Sequence, residues 1–311
     1  MLIYSPKYNT DLNLFGLNKP FALDRGQMVL DKLEKDTGKP VAYQEPALIS
    51  FDDLKLVHSK KYLESLANVP VWEEIFELSD QDYNKTNAQY PLNELLDDIR
   101  LKCGGTKLAC ELALKHGLAA NLGGGYHHTF PDRGRGFCVL HDIAVAIKSL
   151  QKRKLVERVM VVDTDFHQGD GTALVFKGDP NVFTFSIHSQ EGWPEEKQES
   201  SLDVPVFQGE ENLYQNKLET GLKQALAEFS PGFVVYVAGS DPYELDVLPG
   251  TRFLNLSLEQ LEQRDKFVIS RFHKLKIPLA MVFAGGYGPH VWQVHYQAVK
   301  HLLDLQKQAV V

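Results

Sequence analysis

The hydrophobic residues from about residue 100 onward follow helical and strand patterns in alternation. Apolar residues recur at helical spacing over 106–116, Gly117 follows as a capping residue, and a short apolar run continues over 118–122. The same pattern predicts further helices over 141–150, 210–229 and 257–275 and after Pro289, and further strands over 158–162, 181–187, 233–237 and 278–283. Strands joined by helical crossovers predict an α/β fold, with a parallel sheet covered on both faces.

The chain shows no boundary between domains. It contains no internal repeat, low-complexity tract or linker, so we expect residues 1–311 to form a single domain. Ser257 and Gln260 have the spacing of a capping box and predict the start of one helix. The polar and aromatic segment 74–91 fits equally a surface loop near a site and an insertion without a role.

Polar motifs follow four of the predicted strands. In a parallel α/β sheet, ligands bind beyond the carboxyl ends of the strands, and glycines there let backbones approach closely. The sequence therefore predicts a shared site at these ends. The motifs are GGGYHH at 123–128, DTDFHQGDG at 163–171, AGSD at 238–241 and AGGY at 284–287.

The second motif crowds carboxylates at the edge of the core. Side chains alternate along a strand, so Asp163, Asp165 and His167 are expected on one face, where unpaired like charges would repel. Asp241 follows another strand. Two carboxylates and an imidazole that leave a coordination position open suit a catalytic zinc or a similar divalent ion, with Asp165, His167 and Asp241 as ligands. The alternative is that Asp165 caps a turn and His167 fills a hydrogen bond.

Two adjacent histidines, His127 and His128, follow the glycine-rich strand end. Each imidazole needs a partner to fix its tautomer, and Asp163 and Asp170 are the acids left over from the metal site. We therefore expect one acid for each histidine.

Three aromatic residues have two interpretations each. Tyr287 is either a core residue or a phenol that donates to a developing oxyanion beside the metal. Phe137 and Trp193 are either core residues or the walls of an apolar channel, and their spacing alone favours the core.

Composition narrows the class of protein. A hydrophobic content of 43%, a charged content of 24% and the absence of a long apolar run are typical of a soluble globular protein without a membrane span. Three cysteines without CxxC spacing, and an N-terminus without a signal-peptide pattern, predict a cytoplasmic location. The net charge of −8 disfavours direct nucleic-acid binding and suits a cationic or lysine-bearing substrate.

Together these motifs resemble the histone deacetylase family, which has the three-layer arginase-like α/β fold. HHTFPDRGRGFC, DTDFHQGDG, AGSD and AGGY occur in the family's order and approximate spacing. NLGGGYHH, DRGRGFC followed by HDIAVAIKSL, and HQGDG in place of HHGDG are most similar to class IV members. YSPKYN and VHSKKYLESL in the N-terminal region are similar to class IV sequences as well, so the resemblance spans nearly the whole chain.

The resemblance implies a role for each motif residue. It implies that Asp165, His167 and Asp241 bind zinc, that His128 is the general base and acid, and that Tyr287 polarises the substrate carbonyl. The remaining implied roles belong to residues that support these groups or contact the substrate: His127 as electrostatic partner, Asp163 and Asp170 on the imidazoles, Phe137 and Trp193 beside the acyl-lysine channel, and Gly136 accepting the substrate amide. A structural potassium ion is implied near Asp163, Asp165, His167, Ser186 and Ile187.

The implied activity is zinc-dependent hydrolysis of Nε-acyl-lysine on proteins or peptides, with acyl length open. Fe²⁺ is the alternative metal. An acetylpolyamine deacetylase and a non-catalytic scaffold are the alternative functions, and a nuclear location is the alternative in a eukaryote. Arg25 resembles an internal basic residue behind the channel. The aspartate that grips the substrate backbone in the larger classes has no assigned counterpart, because Asp97 and Asp98 lie in a stretch predicted to be helical.

Overall fold

Seven parallel strands form one sheet in the computed structural model, which describes residues 1–308. Residues 309–311 of the predicted domain lie outside the described residues. The strands run in the order β1-β2-β7-β6-β3-β4-β5. They are β1 (Leu2–Ile3), β2 (Leu118–Asn121), β3 (Val159–Asp163), β4 (Val182–Ser189), β5 (Leu202–Val206), β6 (Phe233–Val237) and β7 (Leu279–Val282).

Helices cover both faces of this sheet, which confirms the predicted α/β architecture. The helices are α1 (Arg25–Thr37), α2 (Phe51–Leu54), α3 (Lys60–Ser65), α4 (Val69–Ile75), α5 (Leu96–His116), α6 (Asp142–Lys152), α7 (Asp170–Phe176), α8 (Tyr214–Glu228), α9 (Leu258–Lys274) and α10 (Trp292–Gln308). Among the described residues, no helix is both long and apolar enough to cross a membrane.

The alternation of side chains along the strands divides the core into two layers. Met160 and Val162 face α1, α8, α9 and α10, whereas Val159 and Val161 face α5, α6 and α7. Both sets are buried, as expected for a central parallel strand. A third cluster lies under α2, α3 and α4, around the buried Trp72.

The strand order reverses at β3. The chain proceeds outward from β3 through β4 to β5, then returns to the other side of β3 with β6 and β7. Such a reversal leaves a crevice beyond the carboxyl ends of the two central strands, where α/β proteins bind ligands. The motifs after β3 and β6 therefore meet at the switch point.

Most predicted elements agree with the structure, within a few residues at their ends. The helix predicted over 106–116 is the second half of α5, and Ser257 and Gln260 form both bonds of the predicted capping box. The strands β1 and β5 and the helices α1, α2, α3, α4 and α7 are absent from the prediction. β1 has two residues, and β5 is an edge strand whose LDVPV sequence contains a proline and an aspartate, which are rare in strands.

Candidate active site

The segment after β3 departs from the predicted strand. β3 ends at Asp163, and Asp165 and His167 lie in the loop that follows, so the expectation of one continuous strand face is wrong. The reason is local hydrogen bonding. Asp163 accepts the amide of Asp165 at 3.1 Å, and Asp165 accepts the amide of His167 at 3.0 Å. Aspartates that bond the backbone two residues on compete with strand pairing and turn the chain.

The loop nevertheless brings together the three predicted metal ligands, Asp165, His167 and Asp241. One ligand atom from each lies within 4.8 Å of the others, and all three residues are buried. The Nδ1 atom of His167 lies 2.9 Å from Asp241 Oδ2 and 3.2 Å from Asp165 Oδ1. Two carboxylates and one imidazole that converge on one point match the donor set of a catalytic zinc site.

Backbone groups hold the two carboxylates in place. The amide of Gly285 donates to Asp165 Oδ2 at 2.8 Å, and the amide of Phe166 donates to Asp241 Oδ1 at 2.9 Å. A Cβ atom at Gly285 would lie 2.4 Å from Asp241 Oδ2, closer than real contacts allow. The loop after β7 therefore needs glycine at this position to reach both acids.

The trio has an electrostatic imbalance that a cation would relieve. Burial opposes the charge on His167, but bonds to Asp165 and Asp241 raise its pKa to about 10. Burial and the neighbouring Asp165 charge raise the pKa of Asp241 to about 6. A divalent ion would replace the proton on His167 and offset the repulsion between the two carboxylates.

His127 and His128 lie beside the trio, each with its own acid. Nδ1 of His127 lies 2.7 Å from Asp163 Oδ2, and Nδ1 of His128 lies 2.7 Å from Asp170 Oδ1. The two rings are buried, with centroids 4.0 Å apart. Because each Nδ1 faces a carboxylate, each Nε2 is the ring nitrogen left for other chemistry.

The two imidazoles have opposite pKa shifts. Burial favours the neutral form of His127, but the charges of Asp163 and Asp165 raise its pKa to about 9. Burial and the neighbouring His127 lower the pKa of His128 to about 4, against the attraction of Asp170. At neutral pH His127 is therefore cationic and His128 is neutral, so the pair offers one charge and one base.

Aromatic side chains surround the approach to these groups. The Phe137 and Tyr287 ring centroids are 6.0 Å apart, and Trp193 lies edge-on to His128 at 4.7 Å. Gly136 has a φ of 54°, and a Cβ atom there would lie 2.7 Å from Trp193. The sequence does not single out Phe21, whose ring centroid lies 5.2 Å from that of Phe137 and 6.0 Å from that of Tyr287.

Comparison with known proteins identifies the family. The histone deacetylase domain model matches residues 19–303. Histone deacetylase 2 of Arabidopsis thaliana is 33% identical over 92% of this chain and 74% of its own length. The acetoin utilization protein AcuC of Bacillus subtilis is 30% identical over 94% of this chain and 78% of its own length. The chain belongs to the histone deacetylase family.

A solved histone deacetylase structure has the same fold. The HD domain of HDA15 has a TM-score of 0.73 to this chain and covers 99% of it, with 93% of that domain covered in return. Sequence identity is 18%, so this likeness establishes the fold alone.

Arg135, a charged residue that the sequence analysis of this histone deacetylase homologue did not single out, contacts Asp170. The Arg135 guanidinium lies 2.8 Å from Asp170 Oδ2, as an ion pair without hydrogen-bond alignment, and 4.5 Å from the Trp193 ring centroid. Its sequence signal is the charged residue inside the glycine-rich DRGRGFC segment. Arg135 therefore shares Asp170 with His128 and stacks on a predicted channel wall.

A second unpredicted residue, Asp142, positions the histidine loop. It is buried and accepts the amides of Gly125 at 2.8 Å and Tyr126 at 2.7 Å, directly before His127. Thr106 donates to the same carboxylate. The signal in the sequence is an acid within the otherwise apolar stretch VLHDIAVAI.

A cavity of about 130 Å³ extends from the paired histidines and the trio into the protein. Arg25 lines it and donates to the carbonyl oxygens of Ala284 and Gly285, which fits the predicted internal basic residue by position. Asp98 also lines the cavity, from the first turn of α5. Phe76, at the start of the irregular segment 74–91, lines it too, so that segment does reach the cavity.

Proposed function

We propose that this chain is a metal-dependent deacylase that hydrolyses Nε-acyl-lysine amides, with residues 1–311 as one catalytic domain. The observation that carries the proposal is the convergence of Asp165, His167 and Asp241 within 4.8 Å, next to the His128–Asp170 pair. Histone deacetylase 2, AcuC and a probable deacetylase of Methanothermobacter thermautotrophicus are relatives of this chain, which supports amide hydrolysis.

The same three residues would hold the metal. A bound Zn²⁺ would act as a Lewis acid and lower the pKa of water, and the buried O,N,O donor set fits that ion. Fe²⁺ is the alternative, since imidazole and carboxylate ligands suit it as well.

His128 is the proposed proton carrier. Its pKa is lowered to about 4 by burial and by His127, so Nε2 is free to accept a proton from the attacking water at neutral pH. Asp170 stabilises the imidazolium that results, through the bond to Nδ1. The imidazolium then returns the proton to the amine nitrogen of lysine as the amide C–N bond breaks, which leaves a carboxylate and a lysine ammonium.

Tyr287 is the proposed donor to the carbonyl oxygen as that oxygen becomes negative. Burial and the nearby Asp241 and Asp165 charges raise the pKa of its phenol well above the ordinary value, so the phenol keeps its proton. A preorganised donor of this kind stabilises the tetrahedral intermediate. Removal of one such donor lowers kcat by roughly 10²–10³-fold.

The residues that line the cavity and the sequence motifs both support an acyl-lysine substrate. Phe137, Gly136 and Tyr287 line a mainly apolar cavity, which suits the methylene stem of lysine. Trp193 lies next to His128 and would contribute a further wall. DRGRGFC and HQGDG support placement in class IV.

A structural potassium ion remains part of the proposal. Asp163 and Ser186 are register partners on β3 and β4, and Ile187 directly follows, so their carbonyl groups lie near the start of the metal loop. Loss of such an ion would weaken the loop that carries Asp165 and His167.

Steady-state hydrolysis of one lysine peptide that carries acetyl, octanoyl or myristoyl groups tests the proposal, alongside acetylspermidine. We expect turnover of acyl-lysine peptides by the zinc-loaded protein, and a loss of at least about 10²-fold in His128→Ala. Turnover of acetylspermidine alone would replace the proposal with a polyamine deacetylase. Equal rates in wild type and His128→Ala would refute the assigned base.

A further inference from the structure

The cavity beside the metal trio is lined by a lysine that neither the family resemblance nor the proposed mechanism uses. Lys102, on α5, lines this cavity together with Tyr8 and Leu122. Its side chain packs over Gly123, where a Cβ atom would lie 3.7 Å from Lys102 Cγ. Lys102 thus packs directly against the glycine loop that leads to His127 and His128.

The Lys102 side chain is buried, and within the described residues its ammonium makes no hydrogen bond or ion pair. The residue is 6% exposed. The Tyr8 ring lies near the ammonium, with its centroid 5.9 Å from Nζ. A cation–π contact at that distance offsets little of the cost of burying a charge. Burial lowers the pKa of Lys102 to about 8, which still leaves it mostly protonated at neutral pH.

The charges around the inner end of the cavity favour an anion. Asp98 is the acid on this part of the wall, and it already accepts a hydrogen bond from Thr10 at 2.6 Å. Arg25 lies on the same wall with its guanidinium bonded to backbone carbonyls, so it adds positive charge without supplying a counter-ion to Lys102. Apart from Asp165 and Asp241 of the trio, which line the same cavity, Lys102 and Arg25 against Asp98 leave one excess positive charge.

The dimensions favour a short ligand. The whole cavity, which also holds the lysine stem, is about 130 Å³, and a cavity of roughly 150 Å³ holds a ring of six carbon atoms, so the space left for the acyl group is short. A long fatty chain would exceed this space and would bring apolar carbon against an unpaired ammonium. An acyl chain that ends in a carboxylate would instead satisfy Lys102.

We propose that Lys102 is a specificity-determining residue that binds the distal carboxylate of a short dicarboxylic acyl group, so that succinyl-lysine or glutaryl-lysine is the preferred substrate. This rests on the proposed acyl-lysine deacylase function. The acyl carbonyl would lie at the trio, the chain would run inward past Arg25, and the terminal carboxylate would pair with Nζ.

The test compares charged acyl groups with neutral groups of the same shape. Glutaryl-lysine peptide is matched by 5-methylhexanoyl-lysine peptide, and succinyl by 4-methylpentanoyl, with the acetyl peptide as a reference. We expect Lys102→Met to lower the charged-to-neutral ratio of kcat/KM by at least about 10-fold. Lys102→Arg should keep the preference for the charged group. The acetyl peptide, which lacks a distal carboxylate, is the reference for both ratios, and circular dichroism reports whether each variant is folded.

A binding measurement separates this inference from the proposed function. Calorimetry of the glutaryl-lysine and 5-methylhexanoyl-lysine peptides does not require turnover, and wild type should bind the charged peptide at least about 10-fold more tightly. If no acyl-lysine peptide is hydrolysed but this preference holds, the deacylase function fails and the Lys102 site stands. Equal affinities would overturn the Lys102 proposal whatever the activity.

A second arm distinguishes the substrate's distal carboxylate from the carboxylate released by hydrolysis. If Lys102 meets only the released carboxylate, Lys102→Met will weaken inhibition by acetate and leave the charged-to-neutral ratio unchanged. That result would also overturn the proposal.

Discussion

Two groups of buried charged side chains contact the loop after β3, and they differ in how their charges are balanced. One is the Arg264–Asp265 pair, and the other is the metal trio. Arg264 and Asp265 on α9 pair at 2.7 Å, and Tyr236 donates to the same carboxylate. Arg264 also donates to the carbonyls of Thr164 at 3.1 Å and Gly239 at 2.7 Å. Thr164 directly precedes Asp165, so the internally paired group holds the loop that presents the metal trio.

The trio lacks such an internal balance. Asp165 and Asp241 both contact His167, and the charge of Asp165 raises the pKa of Asp241. His127, the other cation near Asp165, is shared with Asp163. A buried pair that supplies its own counter-ion serves structure, whereas a buried acidic cluster short of positive charge indicates a missing cation. The comparison therefore separates scaffold from site by charge balance.

The largest expected effect follows from removal of the trio's imidazole. His167→Ala deletes a ligand but keeps the carboxylates that accept backbone amides. We expect loss of bound zinc and a fall in kcat/KM of at least about 10³-fold, equivalent to about 4 kcal/mol. Metal analysis and peptide hydrolysis measure both effects. The exposed His116→Ala is the control and should match wild type, and full zinc occupancy in His167→Ala would contradict the account.

Arg264→Met tests the other half of the comparison. It removes the donor to two backbone carbonyls and the cation beside Asp265, which keeps Tyr236 as a donor. Loss of one partner of a buried pair costs about 3–5 kcal/mol. Chemical denaturation measures the free energy of unfolding. Arg271→Met, exposed on the same helix, should change it by less than about 0.5 kcal/mol. A loss of similar size in both variants would show that charge pairing at Arg264 is unimportant.

Zinc should stabilise the protein through the trio alone. At a free zinc concentration 100 times Kd, wild type should gain about 2.7 kcal/mol in the free energy of unfolding. Arg264→Met should gain the same amount at 100 times its own Kd, from its lower starting value, and His167→Ala should gain nothing. Denaturation with and without zinc gives the three differences. An equal gain in His167→Ala would place the ion elsewhere.

The smallest expected effect concerns Arg135. Its positive charge competes with the His128 imidazolium for Asp170, so Arg135→Gln should raise the pKa of His128. The base must be neutral, so the acidic limb of the pH profile of kcat/KM should move to higher pH, by up to about one unit. Arg133→Gln, an exposed neighbour, is the matched control. A shift to lower pH would refute the role of Arg135.

The strands and the motifs at their ends are predictable because central parallel strands are continuous apolar runs. The positions of Asp165 and His167 beyond the strand are harder to predict, since side-chain bonds to the backbone decide where β3 stops. The convergence of Asp241 with them depends on strand order, which local pattern does not encode.

The burial of charged residues on helices is the feature that the sequence pattern does not predict. Arg264 and Asp265 lie between Leu261 and Val268 on the apolar face of α9, where a pattern places aliphatic residues. Lys102 is buried because α5 packs against the sheet on one side and the N-terminal segments on another. Such positions become visible only when the neighbouring layers are in place.

X-ray absorption at the zinc edge tests the central claim most directly. Zinc-loaded wild type should show oxygen and nitrogen ligands at about 2.0–2.2 Å, with one imidazole and no sulfur. In His167→Ala, which should lose its bound zinc, the zinc-edge signal of the ligated ion should vanish. A sulfur ligand, or a spectrum that is identical in the two proteins, would contradict the assignment of Asp165, His167 and Asp241 as the metal site.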